Sequence, residues 1–125
     1  MPEAKPESVT MEGATLTKAT IRAAHKLGLK NRTLSAVIGL SEPTISRMSS
    51  GQYDLERASK PFELSILFVR LYRSLDAIVS GDESVAKAWL NNPNASLGDK
   101  PINLIQNVSG LANVIQYLDA RRARV

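Results

Sequence analysis

A short polar stretch after Gly39 carries side chains that could contact the edges of DNA bases. Two helical patterns flank Gly39, which takes a left-handed turn at little cost, and two helices joined this way form a helix-turn-helix unit. The N-terminal face of its second helix enters the major groove. There Arg47 could reach a guanine edge or a phosphate, and Glu42 could accept a hydrogen bond from a cytosine amino group. The predicted DNA contacts are Ser41, Glu42, Pro43, Thr44, Ser46 and Arg47, with Lys26 and Arg32 beside them.

The sequence lacks the side chains needed for catalysis or for a metal site. It has no cysteine and one histidine, His25, which excludes a cysteine-ligated or multi-histidine metal site. It has no glycine-rich phosphate loop. The adjacent carboxylates of Asp82 and Glu83 stand at a predicted helix start, where the helix dipole explains them. We therefore expect no enzyme activity, no catalytic residue, no metal and no cofactor.

The length and composition are those of a small globular protein. A chain of 125 residues fits one compact domain, or two small ones that share a helix. Its net charge of +4 is compatible with nucleic-acid binding, although many other small domains are equally basic. The chain has no apolar signal segment and no long uncharged run, so we expect a cytoplasmic protein that does not span a membrane.

The N-terminal part is predicted to be a disordered tail followed by one helix. Residues 1–13 contain almost no large apolar side chain and cannot offset the entropy of ordering, so they are expected to be disordered. A helix should cover residues 15–27 and end before Gly28. Its cations Lys18, Arg22 and Lys26 recur every four residues and share one stripe. This stripe could contact phosphates, or it could simply be a solvated helix face.

The helix-turn-helix region is predicted to span residues 14–60. Asn31 is a candidate cap for its first short helix, and Ser41 for the second. The side chains expected to point inward are Leu34, Val37, Ile38, Ile45 and Met48. The unit could still bind DNA, or it could survive only as a scaffold for the rest of the chain.

A long helix is predicted over residues 61–81, beginning near Pro61. Its apolar residues cover more than one stripe, so it must be buried on two sides. One side can close the helix-turn-helix core, and the other can pack on the C-terminal part or on a second subunit. Its charged residues Glu63, Arg70, Arg73 and Asp76 argue against a membrane helix.

Three short helices with tight polar loops are predicted for residues 82–125. Here the chain carries the pattern Ala-x-x-Trp-Leu-x-x-Pro-Asn-x-x-Leu-Gly-x-x-Pro-x-x-Leu from Ala86 to Leu104, followed by Gly110 before the last helix. This pattern resembles the toxin-binding domain of the Xre/MbcA/ParS antitoxins. The chain departs from that family at Asp99, where a second glycine is usual. The fold expected is therefore all-α: an Xre-like helix-turn-helix bundle joined by a long helix to a small three-helix toxin-binding module.

The helix-turn-helix also resembles the Xre-type repressors, through the spacing of Ser35, Gly39 and Ile45. Alanine is usual at the first position, so Ser35 is a departure. Together the two resemblances imply the antitoxin of a type II toxin-antitoxin system, which inhibits a RES-domain toxin and represses its own operon. Such toxins consume NAD or transfer ADP-ribose. The implied partners are that toxin, operator DNA and a second copy of the chain. The alternative is a plain Xre-family regulator with a C-terminal module for dimerisation or ligand sensing.

The same resemblance implies where the toxin would bind. In such antitoxins the C-terminal region lies against the entrance to the toxin's active site, which here corresponds to residues 118–125. Arginines there could pair with acidic toxin residues in bidentate geometry, and the terminal carboxylate could meet cations that hold the pyrophosphate of NAD. The expected toxin contacts are Trp89, Asn94, Leu97, Asp119, Arg121, Arg122, Arg124 and Val125.

Overall fold

The computed structural model describes residues 7–123 and folds them into seven helices without a β-strand. The helices are α1 (Glu7–Lys26), α2 (Asn31–Ile38), α3 (Glu42–Ser49), α4 (Lys60–Ile78), α5 (Glu83–Asn91), α6 (Pro101–Leu104) and α7 (Val108–Ala123). The predicted all-α fold is confirmed: a helix-turn-helix unit is followed by a long helix and a C-terminal helical module. No helix within residues 7–123 is both long enough and apolar enough to cross a bilayer.

Helix α4 forms the centre of the molecule. Its residues Phe68, Leu71 and Leu75 are at most 1% exposed, and burying each such side chain stabilises the fold by about 1.5–3 kcal/mol. The helix packs against α7 of the C-terminal module and also against α1 and α2 of the N-terminal unit. One apolar core therefore contains residues from both parts of the chain. The predicted burial of this helix on two sides is confirmed.

Short polar side chains cap the helices that begin after loops. The hydroxyl of Ser59 accepts a hydrogen bond from the amide of Phe62 at the start of α4, at 3.2 Å. At α5 the carboxylate of Asp82 accepts bonds from Ser84 and Val85. The Ser84 hydroxyl is the main reason that the pKa of Asp82 is lowered, with the Val85 amide next. This ionised cap stabilises the helix above the carboxyl's ordinary pKa and is lost as the pH falls through the lowered one.

The predicted cap at Asn31 is wrong. Lys30 occupies the position before α2, and it makes no side-chain capping bond. Asn31 lies inside the first turn, and its amide group donates to the hydroxyl of Ser46 in α3, at 3.2 Å. The residue therefore connects the two helices of the helix-turn-helix unit instead of capping one of them.

The first helix begins earlier than the sequence pattern predicts. Helix α1 starts at Glu7, so the expectation of a disordered segment is wrong for residues 7–13; residues 1–6 lie outside the described part of the chain. A tertiary contact supports the early turns: the hydroxyl of Thr17 donates to the carbonyl of Gly13 at 2.7 Å and accepts from the amide of Leu55 at 2.8 Å. This contact fixes the helix at Gly13, the last residue of the segment.

Helix α7 crosses α6 at very close range. A Cβ atom built on Gly110 would clash with the carbonyl oxygen of Leu104, so only glycine permits this approach. The amide of Gly110 donates to the side chain of Asn107 at 2.8 Å, which caps the first turn. The helix therefore begins at Val108, before the glycine and not after it as predicted.

The apolar surface of the C-terminal module is smaller than expected. The apolar residues Val85, Trp89, Leu104 and Leu111 of the sequence predict an exposed apolar module that favours a dimer. Leu111 is fully buried in the core, whereas Trp89 and Leu104 are half-buried. Of this set only Val85, 48% exposed, lies largely open to solvent. The patch is therefore not a reason to expect a dimer.

Two candidate binding surfaces

The first candidate surface is the solvent-facing side of α3. Gly39 adopts the left-handed conformation, with φ of 76°, and sets the angle between α2 and α3. The hydroxyl of Ser35 donates a hydrogen bond to the carbonyl of Leu40, which joins α2 to the turn before α3. Ile45 and Met48 are buried, which leaves four predicted contact residues exposed on the outer side of α3: Glu42, Pro43, Ser46 and Arg47.

Thr44 does not belong to that exposed face, and the prediction that placed it there is wrong. Its side chain is only 9% exposed. Its hydroxyl lies 2.9 Å from the hydroxyl of Ser41 and accepts a hydrogen bond from the guanidinium of Arg47 at 3.0 Å. Thr44 therefore restrains Arg47 along the helix, so that less side-chain entropy remains to be lost when the guanidinium binds a target.

The flanking cations differ in their surroundings. Arg32 is exposed in the first turn of α2. It follows Asn31, whose side chain contacts α3. Lys26, by contrast, forms an ion pair with Glu83 of α5 at 3.2 Å. Both partners are substantially exposed, so the pair contributes little to stability. It nevertheless reduces the positive charge that Lys26 can present to a phosphate.

The second candidate surface is an aromatic cluster where α5, the loop after it and α7 meet. The rings of Trp89 and Tyr117 are stacked, with centroids 6.2 Å apart and planes inclined by 22°. The guanidinium of Arg121 lies 5.5 Å from the centre of the Tyr117 ring and donates to its hydroxyl at 3.0 Å. The three side chains form a partly exposed layer, defined here as the Trp89–Tyr117–Arg121 cluster.

The loop between α5 and α6 borders this cluster. Asn94 folds the loop by accepting a hydrogen bond from the amide of Leu97 at 3.1 Å, and Leu97 is half-buried against the core. Burial acts to raise the pKa of Tyr117, but side-chain hydrogen bonds from Arg121, Asn94 and Ser96 outweigh it and lower that pKa. The structure thus brings together Trp89, Asn94 and Arg121, three of the predicted contacts, around Tyr117.

Sequence reasoning missed Tyr117, which connects these predicted residues. Its position four residues before Arg121 places both side chains on one face of α7. That spacing of an aromatic residue and a cation was the available signal. The contact with Trp89 has no such local signal, because it joins two helices that are separate along the chain.

Asp119 and Arg122 lie elsewhere on α7 and contact α4. The carboxylate of Asp119 pairs with Arg70 and accepts a hydrogen bond from Ser74 at 3.0 Å. Arg122 reaches the same Ser74 hydroxyl at 3.5 Å. These two predicted toxin contacts therefore connect α7 to α4 within the molecule. The remaining two, Arg124 and Val125, lie outside the described residues.

Within residues 7–123, no group of three or more acidic, histidine or cysteine side chains is arranged to hold a metal ion.

Two known families match consecutive parts of this chain. Residues 10–70 match the antitoxin Xre-like helix-turn-helix domain, and residues 74–124 match the antitoxin Xre/MbcA/ParS C-terminal toxin-binding domain. A search of curated proteins found no match. The first match covers α2 and α3, and the second covers the Trp89–Tyr117–Arg121 cluster. The chain therefore belongs to the Xre/MbcA/ParS antitoxins, proteins that combine a DNA-binding helix-turn-helix unit with a toxin-binding domain.

Proposed function

We propose that this antitoxin inhibits a RES-domain toxin by docking the Trp89–Tyr117–Arg121 cluster beside the toxin's active site. The observation that carries the proposal is the cluster itself, which lies in the matched toxin-binding domain. Tryptophan, tyrosine and arginine are the residue types that dominate binding energy at protein interfaces. Stacking holds all three before the partner arrives, so little entropy is lost on docking.

The choice of a RES-domain toxin follows from the family resemblance and from the chemistry of the C-terminal region. A toxin that binds NAD needs polar and cationic groups around the pyrophosphate. Residues 118–125 would lie at the entrance to that site. Arg121 itself can form bidentate bonds to an acidic residue at the rim of the cleft. Degradation of NAD and transfer of ADP-ribose remain the two candidate reactions of the partner.

The proposal predicts that the reading frame next to this chain encodes a RES-domain protein, and it is tested with that protein. The purified toxin should consume NAD, and an equimolar amount of the antitoxin should abolish that consumption. The control is the antitoxin denatured by heat, which should have no effect. If the neighbouring frame encodes no RES protein, or if the native antitoxin leaves NAD consumption unchanged, the proposed inhibition is wrong.

We further propose that the antitoxin represses its own operon as a dimer. The exposed side of α3 offers Arg47 as its one cation and also carries Glu42, so a single unit should bind DNA only modestly. Two copies that bind two half-sites would compensate. Ile66 of α4, 47% exposed beside Leu16 of α1, supplies apolar surface for pairing. Light scattering at micromolar concentration should give about 27 kDa, twice the chain mass of 13.6 kDa; a mass of one chain would contradict the dimer.

A further inference from the structure

Three cations from two helices converge on a groove that neither candidate surface includes. Lys18 and Arg22 of α1 and Arg73 of α4 line a cavity of about 490 Å³ between the two helices, together with Val69, Tyr72 and the already paired Lys26. All three cations are exposed. None of them forms an ion pair or a hydrogen bond with the side chains described in residues 12–123. The groove is therefore a concentration of positive charge that the folded chain does not neutralise.

Four other cations form ion pairs within the described part of the chain. Lys26 pairs with Glu83, Arg57 with Glu12, Lys60 with Glu63, and Arg70 with Asp119. Three like charges that line one groove repel one another, and only an external anion removes that cost. A symmetric dimer that formed through this groove would not supply an anion, because it would bring the same cations of a second copy to the interface.

The groove is continuous with the helix-turn-helix unit. Lys18 and Arg22 also line a second cleft, where α1 passes Ser49, Ser50 and Gly51 at the end of α3. Helix α3 has eight residues, which makes it about 12 Å long, close to the width of the major groove. When its N-terminal end lies in that groove, groups beside its C-terminal end come near the phosphates that border the groove.

We propose that Lys18, Arg22 and Arg73 bind the DNA backbone next to the base pairs that α3 contacts. This inference rests on the proposed operator binding and extends it to a phosphate-binding surface that includes α4. Arg73 lies between the two matched regions, which end at residue 70 and begin at residue 74. The surface supplies the cations that the outer side of α3 lacks. Its contacts should add affinity for any sequence, because phosphates carry no base information.

The test measures DNA affinity by fluorescence anisotropy over a range of salt concentrations. The probes are an operator duplex and a scrambled duplex of equal length. The triple variant Lys18→Gln, Arg22→Gln, Arg73→Gln should reduce the slope of log K against log salt by roughly 0.9 for each lost contact. At 0.1 M salt this corresponds to about an eightfold loss of affinity per contact, equal for both duplexes. The single variant Arg73→Gln should show one third of the change in slope.

The matched control is Lys87→Gln, which removes one exposed cation of α5 that does not line this groove. It should leave the slope within error of the wild type. Thermal melts check that the variants are folded. If the triple variant is unfolded, the slopes of the single variants decide the test.

An unchanged slope in folded variants overturns this inference alone. Loss of toxin inhibition without loss of DNA binding also overturns it, since the groove would then serve an acidic protein. A wild-type protein that binds neither duplex overturns operator binding as a whole.

Discussion

Replacement of Arg47 by alanine should weaken operator binding by about 1–3 kcal/mol if its guanidinium binds a base pair in bidentate geometry. Arg47 is the one cation among the exposed residues of α3, and Thr44 already restrains its guanidinium through a bond of 3.0 Å. The loss should be much smaller on a scrambled duplex, because base contacts carry the sequence discrimination. Titration of both duplexes at one fixed salt concentration measures the difference.

The variant Thr44→Val tests how much operator affinity depends on the positioning of the Arg47 guanidinium, because it leaves that guanidinium in place. This change keeps the shape of a largely buried side chain and removes the hydroxyl that accepts from Arg47. It should cost less operator affinity than Arg47→Ala, because the guanidinium remains present but is less restrained. Arg57→Ala is the charge control, since Arg57 pairs with Glu12 outside α3. Unchanged operator affinity in Arg47→Ala would mean that α3 does not contact bases and that the unit is a scaffold.

The parts of the fold that the sequence predicts are those determined by local spacing. The turn at Gly39, the inward residues of α2 and α3, and the long helix with apolar residues on two sides all follow from a helical period and a glycine. The structure confirms each of them, with Phe68 and Leu71 fully buried in α4. These features depend on neighbours within a few residues, which a sequence displays directly.

The features that the sequence does not predict depend on contacts between distant residues. Lys26 meets Glu83 across 57 positions, and Asp119 meets Arg70 across 49. A charged side chain looks the same in sequence whether it faces solvent or pairs with another helix. The early start of α1 has a similar origin, because its first turns are supported by the distant Leu55 through Thr17. Helical spacing alone could not indicate these partners.

The contact between Asp119 and Arg70 also determines how the inhibitory surface must be tested. A truncation that begins at Asp119 would remove the arginines proposed to face the toxin together with a contact that joins α7 to α4. Any loss of inhibition could then reflect a disturbed fold. A charge reversal at one arginine avoids this ambiguity. The structure offers a matched pair for it: Arg121, which stacks on Tyr117, and Arg122, which reaches Ser74 of α4.

Arg121→Glu should restore the activity of the toxin much more than Arg122→Glu. Both variants change the net charge by the same amount on adjacent residues of α7. Reversal at Arg121 places a negative charge in the aromatic cluster and against the acidic residue that the guanidinium is proposed to meet. If Arg121 is a hot spot of the interface, its loss costs at least about 2 kcal/mol, or roughly a 30-fold change in affinity. Trp89→Ala should have an effect of similar size, because it removes the ring that supports Tyr117.

The measurement is NAD consumption by the RES-domain toxin at increasing concentrations of each variant. Thermal melts are recorded beside it, since Arg122→Glu also places a carboxylate near Asp119 and could lower stability. Val108→Ala, a change at an exposed apolar residue at the other end of α7, should inhibit like the wild type. Equal inhibition by Arg121→Glu, Trp89→Ala and the wild type would remove the Trp89–Tyr117–Arg121 cluster from the interface. Stronger relief by Arg122→Glu, in a variant that melts normally, would place the toxin on the α4 side of α7 instead.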